Sequence, residues 1–122
     1  MNTAEIFFTH ICCGPLMLIL TFIFIKYPPK KINSLYGYRT IRSMKNQDVW
    51  QTANTISLKY LFQASVATTI FQGFGIILGN KYTDYILYSY IFLVIAICVS
   101  IWMTEVMLNK LFNKEGNRLN KE

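Results

Sequence analysis

The densest chemistry in this chain lies between Asn33 and Asn54, where Asn33, Tyr38, Arg39, Thr40, Arg42, Ser43, Lys45, Asn46, Trp50 and Asn54 fall in one polar run. A guanidinium among hydroxyls and beside a helix N-terminus is a donor set for a phosphate or carboxylate. The planar fork gives paired charge-assisted bonds, and the helix end adds free N–H groups. Arg39 is the centre of this reading: Gly37 lets the backbone turn tightly just before it, and Thr40 and Ser43 supply further donors just after it. A solvated basic loop would carry a similar charge run, so the residue types leave both readings open.

The other reactive side chains are sparse. His10-Ile11-Cys12-Cys13 holds metal-ligand types, but adjacent cysteines on a helix point about 100° apart and cannot both face one ion, so no metal site is expected. Cys12, Cys13 and Cys98 all lie in apolar surroundings and read as small hydrophobic residues, not as a disulfide framework. There is no nucleophile–base pair at motif spacing, no phosphate-cradling glycine loop and no carboxylate pair, so an enzyme is not indicated and no cofactor is expected. Glu105 is the exception, an acid at the end of an apolar block. Arg39, Arg42 or Lys45 could neutralise it, or a glutamate at a helix end could reach water.

The elements that must position these residues are membrane spans. The chain has 122 residues, 53% of them hydrophobic, and a mean hydropathy of +0.33, too apolar for an ordinary water-soluble domain. Its apolar residues form three blocks, about residues 6–25, 60–78 and 85–103, each near the ~20 residues a helix needs to cross the hydrocarbon core. An all-α, three-span single domain is expected, with a loop over 26–59 and a tail over 108–122. The first block lacks a basic leader and is longer than a signal-peptide core, so it reads as a retained span.

The net charge of +6 would suggest nucleic acid in a soluble protein, but its distribution points to topology, and no direct nucleic-acid contact is expected. Lys26, Lys30, Lys31, Arg39, Arg42, Lys45 and Lys59 face a single acid, Asp48, in the first loop; Lys81 balances Asp84 in the second. Lys110, Lys114, Arg118 and Lys121 outnumber Glu115 and Glu122 in the tail. The positive-inside rule then puts loop 26–59 and the tail in the cytoplasm and the N-terminus outside.

Local signals refine the elements. Gly14-Pro15 should kink the first span, and Tyr27-Pro28-Pro29 should end it. Asn46 reads as an N-cap with Asp48 in the first turn, opening a long helix over 47–78, straight or bent near residues 57–59. Trp50, Ala53, Asn54 and Ser57 share one stripe of that helix, mixed and polar, and so suited to packing on protein or a headgroup. Ala64, Thr68 and Gln72 are spaced by four, Gly75 and Gly79 repeat that spacing, and both sets suit close helix packing. His10 and Gln72 fall in the outer halves of their spans, too far from Glu105 to pair with it.

Asn33-Ser34-Leu35-Tyr36-Gly37-Tyr38-Arg39-Thr40, then Ser43-Met44-Lys45-Asn46, Trp50 and Ala53-Asn54, resembles the signature of the SdpI/YfhL family of small bacterial membrane proteins. About a dozen positions match in order, and the flanking spans extend the resemblance over nearly the whole chain. It implies a multi-pass protein of the bacterial plasma membrane, in a family that includes an immunity factor against a secreted antimicrobial peptide. That factor also signals by holding a repressor at the membrane. The expected partners are thus the lipid bilayer and a secreted antimicrobial peptide. Alternatively, the chain recruits a cytoplasmic regulator or binds or modifies a lipid headgroup. Oligomeric state is not legible.

Overall fold

Asn2 caps the first helix: its side chain accepts from Glu5 N at 2.9 Å, and the Glu5 carboxylate takes the Asn2 N–H at 3.0 Å, a reciprocal box that satisfies two otherwise orphaned donors. In the computed structural model, which describes residues 2–78 and 82–119 (backbone only over 82–84), this helix, α1, runs Thr3–Cys13. Pro15 cannot donate into the ladder, so the helix breaks at Gly14 and restarts as α2, Pro15–Lys26. The break lies tight against the third helix. A Cβ on Gly14 would sit 2.7 Å from Gln72 Oε1 and 2.9 Å from Thr69 Oγ1, so only glycine lets the backbone approach this closely.

After Tyr27 the paired prolines send the chain into an irregular loop, residues 27–46. Helix α3 then runs unbroken over Gln47–Ile77, and α4 over Tyr82–Leu111. The three helical segments Thr3–Lys26, Gln47–Ile77 and Tyr85–Leu111 are each long and apolar enough to cross a membrane. The protein is all-α. Phe7, Phe8, Phe22, Leu87, Val94 and Trp102 are more than half exposed, as side chains are where lipid replaces water.

Inside the bundle the packing is small and polar. Ala64, Ser65, Thr68, Gln72 and Gly75 of α3 are buried, as are Ser89, Leu93, Ser100 and Thr104 of α4. The hydroxyls of Ser65, Thr68, Ser89 and Thr104 each donate to the carbonyl four residues back, at 2.7–2.9 Å, so they add no unsatisfied polar group. Gly75 makes room for Tyr85, whose ring a Cβ would strike and whose hydroxyl donates to Phe71 O. Gly79 and Lys81 lie outside the described residues, as do Lys121 and Glu122.

The apolar core lies at the loop end of the bundle. Val49, Ala53, Leu108 and Phe112 are buried there together, with Tyr38 and Leu111 packed against them. The third span, read as ending at residue 103, therefore continues two turns further as helix. Thr104, Leu108 and Phe112, spaced by four and buried, form a face that packs on the start of α3 and prolongs the helix.

Candidate functional site

The loop is held by the side chains that stood out in the sequence. Trp50, fully buried, donates its indole N–H to Pro29 O at 3.0 Å and so pins the loop's entry to α3. Asn33 makes a local turn: its Oδ1 accepts from Leu35 N and Tyr36 N, both at 2.9 Å, and its amide donates to Lys31 O. Tyr36 then stacks on Phe24 of α2, ring centroids 6.0 Å apart.

Gly37 adopts φ +113°, a conformation closed to residues with side chains. A Cβ there would also sit 2.7 Å from Asn54 Oδ1. This turn delivers Tyr38 N to Asn54 Oδ1 at 2.7 Å, while the Asn54 amide donates to Trp50 O at 2.9 Å. Ser43 closes the next turn: its hydroxyl accepts from Thr40 N and donates to Tyr38 O, each at 2.8 Å, and its own N–H donates to Thr40 Oγ1 at 3.1 Å. Asn46 caps α3 as its position suggested, accepting from Val49 N at 2.9 Å.

Among the described residues Glu105 meets no cation. The Tyr38 hydroxyl donates to its Oε1 at 2.6 Å, and Thr40 Oγ1 lies 3.3 Å away. Burial first, then this bond, raises the Tyr38 pKa well above the ordinary tyrosine range, because the phenolate would lose both water and its carboxylate acceptor. The three cations expected near Glu105 go elsewhere. Arg42 donates to Asn109 Oδ1 and to Phe112 O, the latter at 3.0 Å, and Lys45 donates to Lys114 O. Arg39 is exposed, and its guanidinium has no hydrogen-bond partner among the described residues. Helix α4 does not end at Glu105, and the partly buried carboxylate accepts from hydroxyls of the loop.

The tail completes the assembly. Residues 112–118 fold back through a turn at Gly116, pairing Phe112 with Arg118. The Asn46 amide donates to Gly116 O at 2.8 Å, and Arg118 grips Asp48 with two bonds of 2.8 Å, the only ion pair among the described residues. Sequence reading assigned the tail only charge. Its turn-forming Asn113, Gly116 and Asn117 beside Phe112 were the available signal that it folds. Beneath the loop lies a cavity of about 300 Å³, bounded by Tyr38, Gly37 and Thr104. Among the described residues no group of three His, Cys, Asp or Glu side chains could hold a metal ion.

The chain is also matched to known proteins: the model of the SdpI/YfhL protein family covers residues 30–104, most of the loop together with α3 and most of α4. The chain belongs to that family. It is 32% identical over 108 residues to the protein YfhL of Bacillus subtilis (strain 168), a match covering 88% of this chain and 93% of that one. No solved structure matches it. In this SdpI/YfhL chain many of the polar residues that suggested the resemblance are structural braces: Asn33, Tyr38, Thr40, Ser43, Asn46, Trp50 and Asn54 all use their polar groups to hold the loop. Arg39 does not.

Proposed function

We propose that this chain is an immunity-type protein of the bacterial plasma membrane, protecting the cell against a membrane-active antimicrobial peptide. Its loop and tail face the cytoplasm. Arg39 carries this reading. The loop is braced at every turn yet displays an unpaired guanidinium between Leu35, 86% exposed, and Ile41, 93% exposed. A rigid support for an exposed guanidinium with apolar neighbours is suited to recognising an anionic group at the membrane boundary, since the entropy of ordering the loop has been spent in folding. Asn33, Tyr38, Thr40, Ser43, Asn46, Trp50 and Asn54 hold that support, and Arg42 and Lys45 fasten it to α4 and the tail. Excess cations in the loop and tail support the orientation.

The exposed Leu35 and Ile41 favour a second reading, in which the same face recruits a cytoplasmic regulator; a lipid headgroup is the third candidate for the anion. The test is a challenge assay. Cells expressing the wild type, Arg39→Lys or Arg39→Ala at equal membrane level are exposed to a panel of membrane-active peptides. Protection by wild type and its loss in both variants is expected, because an ammonium keeps the charge but not the planar fork. No protection by wild type overturns the immunity reading. Full protection by both variants removes Arg39 from it.

A further inference from the structure

At the other end of the bundle, away from the loop, a half-open groove of about 620 Å³ runs between α1 and α3. Its walls are apolar, with Phe7 and Ile11 on one side and Ile76 on the other, but two polar side chains line its middle. His10 is 9% exposed and Gln72 4%. Both ring nitrogens of His10 and Nε2 of Gln72 are buried with no hydrogen-bond partner among the described residues. Polar groups left in that state inside a membrane bundle are costly, and native structures seldom keep them without a partner. The hydroxyls nearby do not relieve them: Thr69 Oγ1 donates to Ser65 O at 2.8 Å.

The shape selects the partner. The groove extends along the first span from Thr3 to Pro15, about 18 Å of helix. It lies within the spans and is half-open, so the bilayer's own lipid is the partner at hand. An alkyl chain, whose carbons need about 4 Å of van der Waals spacing, fits along its apolar walls. The polar groups select the head. The Gln72 amide donates, and a neutral imidazole donates from one nitrogen and accepts at the other, so together they match a carboxyl or hydroxyl oxygen that both accepts and donates.

We propose that this groove binds a single-chain, oxygen-headed lipid, a fatty acid or long-chain alcohol, with its head between His10 and Gln72 and its chain along the apolar walls. The site is separate from the Arg39 face and does not depend on the function proposed for it.

The test uses the full chain in phosphatidylcholine nanodiscs with a photoactivatable palmitic acid as probe. Crosslinks should map to residues 6–15 and 69–76, and unlabelled palmitic acid or hexadecanol should displace the probe while hexadecane does not. Whichever of the two competes better identifies the head. Gly73 provides a variant that keeps the fold, because a Cβ there meets no atom within 4 Å. Gly73→Leu should fill the groove and reduce labelling by at least about tenfold, and Gln72→Leu should reduce it by roughly tenfold, the loss of one hydrogen bond. Equal competition by hexadecane would show an apolar slot with no head recognition. That result, or undiminished labelling of Gly73→Leu, overturns the proposal.

Discussion

Asn54→Ala should release the loop while leaving the bundle in place. Asn54 is 2% exposed, so water cannot replace what its side chain provides. The substitution strands the Tyr38 N–H, which now has an acceptor at 2.7 Å, and a stranded buried donor costs about 1–3 kcal/mol. The second bond, from the Asn54 amide to Trp50 O at 2.9 Å, matters less, because that carbonyl keeps its ordinary helical partner. A net loss of about 2 kcal/mol corresponds to a roughly 30-fold rise in local opening. Hydrogen exchange followed by mass spectrometry reads this directly. Peptides covering residues 36–43 should exchange about 30-fold faster, and those covering 61–77 should keep wild-type rates. If the Tyr38 amide exchanged unchanged in the variant, the loop would be held by something other than Asn54, and the account of the braced support would be wrong.

Tyr38→Phe should remove an alkaline transition. The raised pKa of Tyr38 means the folded state holds its proton more tightly than the unfolded one, so the associated stability is complete below about pH 10 and is lost as pH rises above it. The difference in melting temperature between wild type and Tyr38→Phe should therefore shrink above pH 10; a constant difference would break the link to Glu105. Asn46→Ala should cost about 1 kcal/mol from the cap, and it also frees Gly116 O, so exchange should quicken both at Val49–Ala53 and in the tail. Unchanged exchange at Val49–Ala53 would mean that the cap does not hold the start of α3. Cysteine labelling at Lys45 should report the cytoplasm and at Lys81 the outside, and the reverse pattern would invert the proposed orientation.

What could be read in advance was whatever is encoded locally. Block length showed three spans, Gly14-Pro15 showed the break, and Asn46 with Asp48 showed the start of α3, because each signal acts within a turn or two of itself. Trp50, Ala53 and Asn54 showed a shared face by spacing, and all three are buried. Glu105 was harder. Its partner lies 67 residues away, and no local pattern encodes such a pairing; charge alone suggested a cation where the fold supplies a phenol. The continuation of α4 was hidden because Thr104, a polar residue, opens the buried row that Leu108 and Phe112 complete. Asn2 and Glu5, three residues apart, form a capping box, a local signal that a reading by charge and hydropathy passes over.

The clasp between the start of α3 and the tail also orders events in time. Asp48 and Arg118 are separated by 70 residues, as are Asn46 and Gly116. At about 5–20 residues per second of synthesis, Arg118 is added roughly 4–14 seconds after Asp48. During that interval the partners that Arg42, Lys45 and Asn46 use on α4 and the tail are not yet all available. The loop therefore cannot latch fully until residues 112–118 have been made, and a chain ending before residue 112 would lack Phe112, Lys114, Gly116 and Arg118 and leave its loop unlatched.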